Sequence, residues 1–376
     1  MKDHSVTKNL VDEVEEQRHE VVVDSYTQMW SELINQFKAG DVEIDPLYQR
    51  GFRWTVDQQT RYIESLLLNI PTPPIFLAEK QNGSFEVIDG LQRFSTVVKF
   101  FCEEIKGVAS NVSAAGVPVE NDLNIPTVLS HAPILKGLEK LSRATMPDTL
   151  LRTLRYARVQ VILLKKESSP LAKFNVFTRL NRSGTTLSNQ EIRNCSARLT
   201  ESQFADQLMA VANSDFVCDA LRMSVKDRAS MGVQESILRL IAFGNYKPTT
   251  AKLEDFLDEV MYSISSGGMK FDENEKKKVT DVFKVIHNAY PDGEAFRFRK
   301  NGKFTGGFSP NLFDIVAVGI YLNLSKCKKI SVERMRKLIV ELHDQDEAIK
   351  LTGAGSNARL KMIGRVAFGK KWFSKG

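Results

Sequence analysis

The sequence predicts an α+β amino-terminal half followed by a mostly α-helical carboxy-terminal half. Three observations predict it. Ile75-Phe76-Leu77 and Phe85-Glu86-Val87-Ile88 are strand-like runs joined across Asn82-Gly83, the strongest short hairpin signal. Arg158 to Leu164 alternates, with Val159, Val161 and Leu163 on one face. After Asn194, segments 200–212, 233–243, 253–264, 274–289, 311–324 and 331–349 carry helical periodicity, and none reads as a clear strand. At 376 residues, 42% hydrophobic and 26% charged, the chain has the length of about two globular domains, each able to bury a core.

Residues 1–25 form an acidic arm, with Asp12, Glu13, Glu15, Glu16 and Glu20. The folded part starts with Val21-Val22-Val23 and an amphipathic segment from Met29 to Phe37, closed by Gly40-Asp41. Val42-Glu43-Ile44 reads as a short strand. Thr55 is the expected N-cap of a helix from about Asp57 to Leu68, whose Tyr62, Ile63, Leu66 and Leu67 form one apolar face; Pro71, Pro73 and Pro74 stop it. The hairpin follows. Residues 107–126, rich in Ala, Ser, Val, Asn and Gly, read as an exposed insertion. Residues 133–155 are mixed helical, and Leu171, Phe174, Phe177 and Leu180 fall at helical spacing after the Arg158–Leu164 strand.

Composition excludes several classes. No apolar run approaches the roughly 20 residues that span a bilayer, and no signal peptide follows Met1, so a cytoplasmic protein without a membrane partner is expected. Cys102, Cys195, Cys218 and Cys327 are scattered without a Cys-x-x-Cys pair, which argues against a disulfide framework or a zinc site. The formal net charge is +6. The surplus is uneven: Arg359, Lys361, Arg365, Lys370, Lys371 and Lys375 occur after Gly355 without an acid. A polyanionic partner such as DNA is the expectation, with Lys370 and Lys371 among its contacts.

Four stretches carry chemistry. At Phe85 to Thr96 a strand feeds a helix through Asp89-Gly90, and Phe94, Val97, Val98 and Phe101 recur at helical spacing. A helix start offers unpaired N–H groups and the positive end of the macrodipole to an anion; Arg93 adds a guanidinium, Asp89 an acid and Gln92 an amide that can orient water. The alternative is a tight turn capped by Asp89. Pro46 to Trp54 concentrates Gln49, Arg50 and Arg53 among aromatics: Gln49 and Arg50 can reach a phosphate or a base, whereas Tyr48 and Trp54 read as packing residues. In Arg179 to Arg193, Ser188 and Glu191 fit a capping box, while Asn181 and Glu191 are alternatively oxygen ligands of a Mg²⁺ ion that nucleotide phosphates also hold. Phe296 to Phe304 interleaves Arg297, Arg299, Lys300 and Lys303 with aromatics, a pattern suited to nucleic acid, or else a small basic hairpin turning at Asn301-Gly302.

Tyr48-Gln49-Arg50-Gly51-Phe52-Arg53-Trp54, Ile70-Pro71-Thr72-Pro73-Pro74-Ile75, Ile88-Asp89-Gly90-Leu91-Gln92-Arg93 and Asn181-Arg182-Ser183-Gly184-Thr185-Thr186-Leu187, the last with Glu191 and Arg193, occur in an order and spacing that resembles the DUF262 family. This is the N-terminal domain type of GmrSD-like restriction enzymes, itself similar to the ParB and sulfiredoxin superfamily. The resemblance covers a core over 26–195, leaving 196–376 as a helical domain with a basic tail. It implies a ParB/sulfiredoxin-like α+β fold that binds and hydrolyses a nucleoside triphosphate, GTP, CTP or ATP, with Mg²⁺. By position, Asp89 is the implied essential acid, Gly90 allows close backbone approach, and Gln92 and Arg93 hold phosphate, with Arg93 stabilising charge in transfer. The resemblance further implies that Gln49 and Arg50 complete the nucleotide pocket and that Asn181 and Glu191 take part in nucleotide or metal binding. Leu91 stands where the family usually has Gln, which bears on catalytic rate.

His4, His19, His131, His287 and His343 are dispersed and assemble no HNH nuclease motif. Pro291-Asp292 with Glu294 lacks the Lys that another nuclease class requires. The expected function is a triphosphate-hydrolysing sensor or regulatory module of a prokaryotic restriction or phage-defence system, acting on DNA or with an effector or nuclease partner, with homo-oligomerisation left open. The alternatives are a non-enzymatic DNA-binding module and a ParB-like nuclease.

Overall fold

The computed structural model describes residues 10–15, 18, 20–44, 54–101, 126–182, 188–199, 203–268, 271–353 and 358–375. The expected insertion at 107–126, except its last residue, and most of the Pro46–Trp54 stretch lie outside them. The chain is mixed α+β, and its contacts cluster into two compact units, Met1–Thr186 and Leu187–Gly376.

In the first unit, strand β1 (Val23–Met29) leads into helix α1 (Trp30–Ala39), which ends at Gly40 in a left-handed conformation and continues as β2 (Val42–Glu43). Helix α2 (Val56–Leu67) starts in a full capping box, Thr55 accepting from the Gln58 N–H and Gln58 accepting from the Thr55 N–H. Strands β3 (Ile75–Glu79) and β4 (Phe85–Asp89) form the expected hairpin, with α3 (Leu91–Phe100) directly after it. Helix α4 (Asp148–Tyr156), β5 (Arg158–Leu164) and α5 (Pro170–Arg182) complete the unit.

The five strands order as β1-β5-β3-β4-β2. Pairs β1–β5 and β3–β4 are antiparallel, while β3–β5 and β2–β4 are parallel. Trp30, Leu33, Ile63, Ile75, Leu77, Phe94 and Val161 are fully buried, so α1, α2 and α3 cover the sheet with a common core. Two buried polar groups fasten the following segment to α2. Glu64 accepts from the N–H groups of Ile134 (2.7 Å) and Leu135 (2.6 Å), and Gln59 accepts from the Thr127 hydroxyl (3.0 Å).

The second unit is helical: α6 (Asn189–Arg198), α7 (Phe204–Ala212), α8 (Asp215–Leu221), α9 (Val225–Ala229), α10 (Gly232–Asn245), α11 (Leu253–Ser265) and α12 (Glu273–Ala289) precede a hairpin. The hairpin pairs β6 (Phe298–Lys300) with β7 (Lys303–Thr305) and is followed by α13 (Pro310–Leu322), α14 (Leu324–Cys327), α15 (Val332–His343), α16 (Asp346–Thr352) and α17 (Arg359–Phe373). Helix α13 is the axis of the unit, with Phe313, Ile315, Val316, Ala317, Val318 and Ile320 fully buried. It lies backbone to backbone on α17: a Cβ at Gly369 would stand 2.3 Å from the Ile315 carbonyl oxygen.

An ion network runs through this interior. Asp314 accepts from Arg239 (2.9 and 2.6 Å) and from Arg365 (3.0 Å). Arg239 reaches Glu235 at 4.0 Å, and Arg193 bridges Glu235 (3.3 Å) and Asp258 (2.8 Å). Three carboxylates face three guanidiniums across α6, α10, α11, α13 and α17; the Asp314 end is fully buried, and the Glu235 side chain is one-third exposed.

Candidate functional site

The junction between β4 and α3 is set by local sequence. A register shift between Phe76 and Leu77 places two β4 steps, Val87 to Asp89, against one step of β3, a bulge that turns the strand end just before the helix. Gly90 then takes φ +89° and caps α3, its carbonyl accepting from the Phe94 N–H at 2.9 Å. A Cβ here would stand 2.6 Å from Ile75 Cδ1 and 3.1 Å from Arg93 Nη2, so the position needs glycine on both conformational and steric grounds.

Arg93 folds back over that glycine. Its Nη2 lies 3.2 Å from Asp89 Oδ2, with 12% of the Arg93 side chain and 32% of the Asp89 side chain exposed. Three features therefore converge on one point: a guanidinium, a carboxylate and the positive end of a helix whose first N–H groups lack intrahelical partners. Among the described residues the structure gives Asp89 Oδ1 no partner, which leaves it available to water or a cation.

Gln92 extends the site sideways. Its Oε1 accepts from the Trp54 N–H at 3.1 Å, and Gln59 Nε2 donates to the Trp54 carbonyl at 2.8 Å, so Trp54 is held by its backbone at both ends. The Trp54 ring meets Tyr62 edge-on at 5.7 Å, and Tyr62 meets Trp30 edge-on at 6.4 Å. Burial pushes the Tyr62 hydroxyl up to about 12, with the nearby Arg93 charge acting in the opposite direction. Trp54, Gln58, Arg61, Tyr62 and Ser65 line a cavity of about 270 Å³.

Asp89, Gly90, Gln92 and Arg93 are thus brought together at one strand–helix junction. Gln49 and Arg50 lie outside the described residues, and Asn181 falls in the last turn of α5 with its side chain likewise outside. Glu191 is a capping residue of α6: its Oε2 accepts from the Ser188 N–H at 2.7 Å, and its own N–H donates to Ser188 Oγ at 3.2 Å. Among the described residues no group of three or more His, Cys, Asp or Glu side chains is placed to hold a metal ion. Mg²⁺ asks for less, one or two protein oxygens plus phosphate oxygens, and the half-exposed Asp89 carboxylate fits that requirement.

The expected basic contacts fall on two elements of the helical unit. Asn301 (φ +51°) and Gly302 (φ +78°) make the tight turn between β6 and β7, flanked by exposed Lys300 and Lys303. Arg299 pairs with Asp344 at 3.0 Å, and Arg297 is half-buried. Of the interleaved aromatics, Phe296 is fully buried and Phe304 packs edge-on against Tyr290 (5.5 Å) and His343 (5.4 Å); Phe298 is exposed. Lys370 and Lys371 are exposed in the last turn of α17, whereas Arg365 of the same basic tail is buried on Asp314. A larger cavity of about 460 Å³ includes Arg222 and Asp292, which pair with each other.

Sequence reasoning treated Trp54 as packing and did not single out Gln58, Arg61 or Ser65. Their spacing was the available signal: positions 54, 58, 61 and 65 recur at one-turn and two-turn intervals and so share a face of α2 and its lead-in.

Among the described residues no helix is long and apolar enough to cross a membrane. No curated protein and no solved structure matches the chain. One family model does, over somewhat less than half of the chain. Residues 30–197, which contain the Asp89-Gly90-Leu91-Gln92-Arg93 junction, match the model of the family described as GmrSD restriction endonuclease, N-terminal domain.

Proposed function

We propose that the protein is a nucleoside triphosphate-binding and -hydrolysing module of a prokaryotic restriction or phage-defence system, with the phosphates bound at the β4–α3 junction. The observation that carries this reading is the convergence of Asp89, the glycine-capped start of α3 and Arg93 within one turn of helix. Phosphate oxygens accept from the first N–H groups of α3 and from Arg93, which leaves Asp89 when the anion enters. Hydrolysis forms a bond from a water oxygen to the γ-phosphorus and breaks the bond from that phosphorus to the bridging oxygen, releasing nucleoside diphosphate and phosphate. Asp89 aligns the water or holds the metal, and Arg93 stabilises the negative charge that builds on the transferred group. Bound Mg²⁺ supplies charge neutralisation on the β- and γ-phosphates.

The restriction-enzyme family of residues 30–197 supports the biological setting. Exposed Lys300, Lys303, Lys370 and Lys371 support DNA as the partner of the helical unit, since cations without buried partners bind phosphates by releasing counterions. Release of phosphate from GTP, CTP and ATP is the test. The wild type is expected to release it and Asp89→Ala to fall to background, whereas equal background release from both proteins removes the hydrolase reading.

A further inference from the structure

We propose that β1 (Val23–Met29) is the contact edge of a homodimer, in which two copies of this chain pair antiparallel along β1 about a twofold axis at Tyr26 and join two five-stranded sheets into one. The pairing is independent of the phosphate reading, because β5 and β3 lie between β1 and the strand that leads into α3. Three observations carry it.

The first is an outward row of backbone groups. The Lys165 N–H donates to the Val22 carbonyl (2.9 Å) and the Trp30 N–H to the Ala157 carbonyl (3.0 Å), which continues the Val23–Leu164 to Met29–Arg158 register by one residue at each end. Bonding groups alternate sides along a strand, so Asp24, Tyr26 and Gln28 turn theirs to β5, while Val23, Ser25, Thr27 and Met29 turn theirs outward. The Ser25 N–H agrees with this parity: it donates to its neighbour's Asp24 carboxylate at 2.8 Å, on the exposed side. Among the described residues no other element pairs with the outward row.

The second is that the edge is unguarded. Sheets blunt an exposed edge with lysine, proline, a bulge or a very short strand. At the opposite edge, β2 is two residues long. Strand β1 runs for seven residues without Lys, Arg or Pro, and it holds its register with β5 throughout, without a bulge. Such an edge is a template for another strand.

The third is that the sequence complements itself, which makes a second copy the occupant. Tyr26 is the midpoint of β1, so an axis there pairs the whole strand. Val23 then faces Met29 of the second copy and Ser25 faces Thr27, and each of these outward pairs exchanges two N–H···O=C bonds. Val23 and Met29 are exposed apolar side chains that cover each other across the axis. Asp24 faces Gln28 rather than another acid. The carboxylate that holds the Ser25 N–H in the free edge accepts from that amide once Ser25 turns to Thr27. An axis at Asp24 would instead set like charges opposite one another.

The experiment is sedimentation equilibrium of the full chain, without nucleotide, from about 1 to 100 μM, a range that resolves associations of moderate strength. The wild type is expected to pass from monomer to dimer. Gln28→Lys sets an ammonium against Asp24 at both symmetry-related pairs and is expected to tighten the dimer by about two- to tenfold; Gln28→Glu is expected to weaken it by a similar factor. Thr27→Pro removes an outward N–H, spares the bonds to β5 and is expected to abolish the dimer. A wild type that stays monomeric leaves the edge to a strand of another protein and overturns the second-copy assignment. A dimer equally strong in all three variants uses another surface and overturns the edge assignment. Gln28 variants that shift in the same direction overturn the axis at Tyr26; damage to the fold would move both one way, so opposite shifts can come only from the pairing.

Discussion

The Asp89 carboxylate and the Arg93 guanidinium lie 3.2 Å apart across one turn of helix, with Gly90 beneath them. An anion that takes the Arg93 Nη2 hydrogens competes with this internal partner. Asp89 accordingly has two separable effects: it competes with phosphate for Arg93 and it serves the chemistry. Asp89→Asn is expected to lower phosphate release by about a hundredfold or more, the scale of a lost general base or water-orienting group. The same change is expected to tighten binding of a non-hydrolysable triphosphate by about two- to fivefold, since a partly exposed ion pair no longer has to open. Titration calorimetry beside a phosphate-release assay checks both. Parallel losses of binding and turnover would mean that Asp89 acts by holding the ligand.

Gly90→Ala combines two penalties. The left-handed conformation costs an L-residue about 1–2 kcal/mol, and the added methyl meets Ile75 at 2.6 Å. A stability loss of at least about 2 kcal/mol in denaturant melts is expected, together with loss of phosphate release, because Arg93 is pushed from its place.

The Ser188–Glu191 box separates cap from metal ligand. Ser188→Ala is expected to cost about 1 kcal/mol. Glu191→Gln keeps an acceptor for the Ser188 N–H and is expected to retain the melting temperature and the Mg²⁺ concentration that half-saturates phosphate release. A raised Mg²⁺ requirement in Glu191→Gln would make Glu191 a metal ligand.

Asp314 is the fully buried acceptor of Arg239 and Arg365. Removing it takes the shared carboxylate from two buried guanidiniums and leaves Arg239 only Glu235, at 4.0 Å, so Asp314→Ala is expected to destabilise the helical unit by about 3–5 kcal/mol in chemical denaturation.

His343 is buried, with Nδ1 2.7 Å from the Ile339 carbonyl, and desolvation holds its pKa below the usual 6.5. The unfolded chain therefore binds the proton first as pH falls. The stabilisation from keeping this imidazole neutral is fully present above about pH 6.5 and is lost as pH falls through the lower folded value. Denaturation midpoints between pH 7.5 and 5 are expected to drop more in the wild type than in His343→Gln.

The sequence made some of this legible and concealed the rest for identifiable reasons. The β3–β4 hairpin, the Thr55 cap and the Ser188–Glu191 box could be read because each is a local pattern that the chain satisfies within a few residues. Strand β1 was hidden: Val23–Met29 is polar and largely exposed at the sheet edge, so it lacks the apolar alternation that announces a strand, and its pairing with β5 is long-range. Arg193 read as part of a family block and Arg365 as part of the basic tail, and neither could be assigned its buried ion pair, since nothing in their neighbourhoods reveals Asp258 or Asp314, far away in sequence. The 331–349 segment divides into α15 and α16 at Asp344-Gln345, and the basic tail is a helix packed on α13. At the candidate site, Asp89 to Arg93 could be read as a strand–turn–helix junction. The cavity beside Trp54 could not, because it depends on the tertiary bond from Gln92.

The central claim is that a triphosphate sits on the start of α3. Hydrogen–deuterium exchange of the full chain, with and without a non-hydrolysable nucleoside triphosphate and Mg²⁺, tests it most directly. The account predicts slowed exchange at the amides of residues 90–93, where N–H groups without intrahelical partners take phosphate oxygens. Unchanged exchange there, with protection appearing elsewhere in the chain, would contradict it.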